Sequence, residues 1–186
     1  MAACQSLISL PLQCASDALI GGTSKVYAIA AKDLGTVAGS TLSYAVSPTT
    51  GAITEIAMKV PATDLFVEIG QLKNTAGVGS EFTKNANGTN YFTSTATLQL
   101  TGLTPENYKF IESVRSQPVA FLFKSRQDNW YAVGLSGNME LATATANTGI
   151  AESDLVGYTL TFTGVGANGV RFVEASAADK AITVGI

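Results

Sequence analysis

Residues 104–135, TPENYKFIESVRSQPVAFLFKSRQDNWYAVGL, constrain the fold more than any other stretch, because a helix signal runs directly into an aromatic strand pair. Thr104 suits an N-cap, Pro105 suits the first helical position, and Glu106 sits where the helix dipole favours negative charge. Tyr108, Ile111 and Val114, widened by Phe110, predict one apolar helix face. Pro118 disfavours helical geometry at Gln117 and ends the element. Val119, Phe121 and Phe123 then alternate with Ala120, Leu122 and Lys124 as a strand does. Residues 125–129 turn the chain and residues 130–135 return it. A short helix and hairpin cannot bury their own faces, so they are expected to cover a larger sheet.

Residues 91–100 show the cleanest alternation in the chain. Phe92, Ala96, Leu98 and Leu100 point one way, and Thr93, Thr95, Thr97 and Gln99 the other, so one face is core and one is wet. Residues 65–72 read as a strand, with Leu65, Val67 and Ile69 opposite Phe66, Glu68 and Gly70. Between these two lies the polar, glycine-rich stretch 73–90, ending in the turn pair Asn87-Gly88. The expectation is one long hairpin over 65–100 with an extended tip at 73–90.

Residues 1–22 are weakly patterned and read as an arm, with a hinge or turn at Gly21-Gly22. Further strands are expected over 25–31, 42–46, 53–60, 138–145, 157–164, 170–174 and 181–184. In 157–164, Tyr158, Leu160 and Phe162 point inward, and Thr159, Thr161 and Thr163 outward. Phe92, Leu98, Leu100, Ile111, Phe121, Tyr158, Leu160 and Phe162 are the expected shared core, between sheet and helix. The whole, 1–186, reads as a single mostly-β domain with one helix.

At 186 residues the chain can bury roughly 70% of its unfolded surface. Its 46% apolar content and 18 glycines favour β-structure with many turns over disorder or a helical bundle. A net charge of −3 with scattered cations argues against a conventional nucleic-acid binder. Histidine is absent, which removes the commonest general base and metal ligand together. Cys4 and Cys14 match no zinc spacing; buried free thiols in a reducing compartment are preferred over a disulfide closing a small loop.

No basic residue precedes Lys25, so a signal peptide is not expected, and Pro11 and Gln13 fit a lipidated Cys14 poorly. No run approaches the ~18 apolar residues of a membrane span. A soluble protein made in the cytoplasm is expected.

The string Gly164-Val165-Gly166-Ala167-Asn168-Gly169 has dinucleotide-loop spacing but is followed by a strand-like Val170-Arg171-Phe172-Val173. A hairpin turn is therefore expected. Gly21-Gly22-Thr23-Ser24-Lys25 has phosphate-loop residue types in the wrong order and reads as a turn. Asn87-Gly88-Thr89 is a glycosylation string that matters only in a secreted chain. Glu152 and Asp154 read as solvated surface in a linker. Trp130 and Tyr131 fit a hairpin core, or the sugar-binding face of a glycan-binding module. No nucleophile–base pair is visible. Neither an enzyme, a cofactor nor a metal is expected.

The order of features, a hairpin over 65–100, a helix over 104–114 and an arm over 1–22, resembles the tail tube proteins of tailed bacteriophages. Cys4, Leu12-Gln13-Cys14, Gly21-Gly22, Lys25-Val26-Tyr27 and the strand 157–164 are similar to structural proteins of phages infecting Bacteroidetes. The resemblance implies a tail-tube-type β-sandwich with one flanking helix. It implies hexameric rings stacked into a virion tube, made in the host cytoplasm, with other tail or neck proteins as partners and only transient contact with DNA. Terminator and neck ring proteins share the fold and are the alternative. On that basis Glu68, Thr93, Thr95, Thr97 and Gln99 are expected to face the lumen. Lys73, Val78, Phe82, Lys84 and Asn87 are expected between rings.

Overall fold

The computed structural model describes residues 21–71, 75–149 and 156–182. Its strands are β1 (Thr23–Ala30), β2 (Tyr44–Val46), β3 (Ile53–Ile56), β4 (Val67–Ile69), β5 (Gly77–Lys84) and β6 (Asn90–Thr101), then β7 (Val119–Ser125), β8 (Trp130–Val133), β9 (Met139–Asn147), β10 (Gly157–Gly166) and β11 (Arg171–Val173). Helix α1 (Pro105–Val114) lies between β6 and β7, and α2 (Ala175–Ile182) follows β11. The strands form two sheets, seven-stranded in the order β2-β3-β11-β8-β7-β1-β4 and four-stranded in the order β5-β6-β10-β9.

The strand β7 sits inside the larger sheet, antiparallel to β1 and β8. Its Val119, Phe121 and Phe123 join Val26, Ala28 and Val133 against Ala96, Leu98, Leu100, Leu160 and Phe162 of the smaller sheet, with Ile111 and Val114 of α1 in the same cluster. Phe121 and Phe162 meet edge-on, ring centres 4.7 Å apart, the offset geometry that aromatic quadrupoles favour. The opposite face of the larger sheet carries Tyr27, Ile29, Ala120, Leu122, Trp130 and Ala132, covered by Ala177, Ala178 and Ala181 of α2 and by Phe66. The layers are therefore sheet, sheet and helix.

Helix α1 starts as its sequence predicts. Thr104 is extended, with φ −93° and ψ 154°, and its hydroxyl oxygen accepts from the Asn107 N–H at 3.3 Å. The buried positions are Ile111 and Val114, with Phe110 half-buried; Tyr108 is exposed. Asn107 takes the inward place one turn before Ile111, its amide donating to the carbonyls of Thr101 and Gly102 at 2.9 Å. The 125–129 turn forms as expected. The Ser125 hydroxyl accepts from the N–H groups of Gln127 and Asn129, and Asp128 takes a left-handed φ of 60°.

Several expectations are corrected. The helix–hairpin unit does not lie over a larger sheet: its hairpin β7–β8 is part of that sheet's middle, buried on both faces. No hairpin joins 65–72 to 91–100. β4 is only three residues long and pairs with β1, while the supposed tip supplies the eight-residue β5, which pairs with β6 from Gly77 opposite Thr97 to Lys84 opposite Asn90. Glycines and polar residues mask the strand, yet Val78, Ser80 and Phe82 alternate within it.

The end of the chain is also corrected: residues 181–182 belong to a second helix, not a strand. Four alanines in α2 favour helix, and Ala177, Ala178 and Ala181 repeat at helical spacing. The glycine string at 164–169 is not a hairpin turn; β10 and β11 lie in different sheets, so the string crosses between them. A side chain at Gly164 would run into the Asn138 carbonyl, and one at Gly169 would meet the Ser80 hydroxyl at 2.5 Å. Close approach, not phosphate, explains these glycines.

Of the expected shared core, Leu98, Leu100, Ile111, Phe121, Leu160 and Phe162 are buried in one cluster, and Tyr158 packs half-buried against it. That cluster lies mainly between the two sheets. Phe92 is half-buried outside it, its ring 5.2 Å from Phe82. Residues 1–20 of the expected arm, with Cys4 and Cys14, lie outside the described residues, as do Lys73, Glu152 and Asp154.

Candidate functional site

The outer face of the four-stranded sheet is built by register. Thr95 of β6 lies opposite Thr163 of β10, Thr97 opposite Thr161, and Gln99 opposite Thr159. β10 carries the rows on to β9, where Thr159 meets Thr145, Thr161 meets Thr143 and Thr163 meets Glu140. On the other side Gly77, Gly79 and Glu81 of β5 flank Thr97, Thr95 and Thr93. Threonines directly opposite one another on one face of an antiparallel sheet form cross-strand pairs, each contributing about 0.2–1 kcal/mol. Glu81 and Glu140 are the charges in these rows, and no lysine or arginine stands among them.

Thr93, Thr95, Thr97 and Gln99 share this face as expected, Thr95 exposed and the other three half-buried. Glu68 does not. It lies on β4 in the other sheet, opposite Tyr27, and pairs with Lys25 at 3.2 Å. The hydrogen bond and charge of Glu68 raise the Lys25 ammonium above its ordinary pKa. The threonines of β10 and β9, with Glu81 and Glu140, extend the face beyond the residues first singled out. The alternation of 157–164 already signals half of that extension; the missing information is which strands pair.

Both edge strands of this sheet, β5 and β9, have an outer side with no partner strand among the described residues. Residues 142–147, Ala-Thr-Ala-Thr-Ala-Asn, are exposed throughout. They follow the register shift near Thr161/Phe162 and contain neither proline nor lysine, the usual guards of an open edge.

The expected inter-ring residues divide. β10 pairs with β6 only as far as Phe92, so the β5–β6 hairpin projects beyond it. Lys84 and Asn87 are exposed at that projecting end, and Asn87 Oδ1 accepts from the Thr89 N–H at 3.1 Å within the turn. Phe82, 54% exposed, is with them. Val78 is not: it is half-buried against the core.

The surface that a sugar would need is also divided. Trp130 is buried under Lys124, whose Nζ lies 5.4 Å from the ring centre, so only Tyr131 is partly accessible. Among the described residues no three acidic or cysteine side chains gather as a metal site, and no helix is long and apolar enough to cross a membrane. No protein-family model matches the chain, and no curated protein or solved structure matches it.

Proposed function

We propose that the protein is a tail tube subunit of a tailed bacteriophage, forming hexameric rings that stack into the channel for DNA. The observation that carries this reading is the threonine face, with no cation in its paired rows, on a sheet whose two edge strands have no outer partner among the described residues. Four strands alternate in direction across the sheet, so β9 of one copy and β5 of the next would meet antiparallel and continue the ladder. Such a head-to-tail contact closes into a ring when the rotation allows it. A ring that unites many strands leaves an aqueous channel, as large barrels do. Its lining would be neutral hydroxyls with a few carboxylates, which repel phosphate mildly and offer DNA no place to stop. The projecting hairpin end with Phe82, Lys84 and Asn87 would reach the next ring. A neck or terminator ring protein would use the same face and edges.

Electron microscopy of the purified protein at high concentration tests the reading. Rings or tubes are expected. A particle that stays monomeric in light scattering across salt and concentration overturns it.

A further inference from the structure

The chain contains two Asn-Gly pairs, Asn87-Gly88 and Asn168-Gly169, identical as dipeptides. The fold gives them opposite surroundings. Residues 85–90 are all exposed where the β5–β6 hairpin turns. Gly88 holds φ at 85°, and apart from its chain neighbours nothing lies within 4 Å of where a side chain there would begin. The bond from the Thr89 N–H to Asn87 Oδ1, at 3.1 Å, folds the side-chain amide back over the Gly88 peptide.

Asn168 is held instead. Its Nδ2 donates to the Tyr44 hydroxyl at 3.0 Å, and its Oδ1 accepts from the Arg171 guanidinium at 2.5 Å. Tyr44 is buried, and Asn168 and Gly169 are half-buried. The Ser80 hydroxyl and the Phe92 ring lie 2.5 and 2.9 Å from where a side chain at Gly169 would begin. Freeing this amide breaks both of its bonds.

An asparagine side-chain carbon is open to attack by the backbone nitrogen of the next residue, once solvent base has taken that nitrogen's proton. At Asn87 the Gly88 nitrogen would bond to Cγ and close a cyclic imide. The Cγ–Nδ2 bond breaks, and Nδ2 leaves as ammonia with a proton from water. Water then adds to either imide carbonyl. Opening at one restores the backbone with aspartate; opening at the other leaves isoaspartate, with the backbone running through the former side chain. Nothing is oxidised or reduced. Glycine hinders the attack least because it has no Cβ. The Thr89 N–H already donates to the oxygen on which negative charge develops. The Gly88 N–H donates to the Asn85 carbonyl at 3.0 Å, so the turn must loosen first, and an exposed hairpin end opens at little cost.

We propose that Asn87 is a self-modifying site, converting through the imide to aspartate and isoaspartate, while the fold protects Asn168 in the same dipeptide. Each conversion adds a negative charge to the hairpin end that carries Lys84. The reaction belongs to the free chain and stands whether or not the chain forms rings.

Full-length protein held in warm, mildly alkaline buffer, beside the same chain unfolded in urea, tests the proposal. Samples are digested at low pH, where the reaction stops, and mass analysis follows amide becoming acid at each position. In the folded protein position 87 should convert faster than position 168 by on the order of tenfold or more, giving both aspartate and isoaspartate. In urea the two rates should converge. Matching rates in the folded protein, a lead for position 168, or the same ratio in urea as in the fold each overturn the proposal. So does aspartate alone at position 87, which marks direct hydrolysis without an imide. An unchanged position 87 in the folded protein, over the time in which the unfolded chain converts, overturns it as well.

Discussion

The larger sheet is buried on both faces through its middle, whereas the smaller sheet buries one face and shows the other to solvent. The strand β7 reads Val-Ala-Phe-Leu-Phe without a polar break, and all five residues are buried. In β6 and β10, buried Ala96, Leu98, Leu160 and Phe162 alternate with threonines. Continuous apolar strands need cover on two sides, which the second sheet and α2 supply; alternating strands need cover on one. The larger sheet therefore serves as scaffold, and the smaller one presents a surface to whatever lies outside.

The sharpest test of that contrast is at the shared interface, where both sheets should be equally sensitive. Phe121→Ala and Phe162→Ala should each cost about 3–5 kcal/mol in denaturant unfolding. Their edge-on pairing should add a coupling of about 0.5–1.5 kcal/mol in the double variant. Unchanged melting temperatures for both single variants would mean that the sheets do not share this core.

Next in size is the second face. Leu122→Ala should cost about 2–5 kcal/mol, because α2 and Trp130 enclose that side chain, and calorimetry would show it. A loss no larger than that of an exposed position would break the comparison. On the outer face of the smaller sheet, Thr95→Lys should shift stability by no more than about 0.5 kcal/mol. It should still give tubes of normal width in micrographs, with poorer genome delivery. Loss of tubes from a folded Thr95→Lys monomer would place the threonine rows in an interface instead of a lumen.

The smallest effect belongs to Glu68→Gln at the edge of the larger sheet, where an exposed pair with Lys25 should leave the melting temperature essentially where it was. Because the Lys25 pKa is raised, whatever the pair contributes is complete below the ordinary lysine range and fades as pH climbs through the raised value. A clear loss of stability at neutral pH would show a larger role for that edge.

Local chemistry was legible wherever one element decided it. The Thr104 cap, the 125–129 turn and the facing of 91–100 and 157–164 all follow from residue type and period. Pairing was not legible. Reading 65–72 and 91–100 as hairpin arms puts Glu68 beside the threonines, and nothing local reveals that β1 takes β4 instead. Strand β5 hid behind Gly77 and Gly79, which weaken strand propensity, and α2 hid in a short alanine-rich stretch. Tyr108 shares helical spacing with Ile111 and Val114, but the face turned inward centres on half-buried Asn107 and Phe110 with buried Ile111 and Val114, which leaves Tyr108 exposed.

The pairing of distant segments also sets a schedule for synthesis. β1 waits for β7, whose Ser125 lies opposite Thr23, and β3 waits for β11, where Val173 runs beside Ile53. β10 enters between β6 and β9, so β9 has no partner strand, and β6 only β5, until residues 157–166 have left the ribosome. Folding dominated by such separations is slow, on the order of milliseconds to seconds, and falls late in translation. A chain halted before residue 157 has no four-stranded sheet to display, and a growing assembly of the kind proposed would have nothing on it to join.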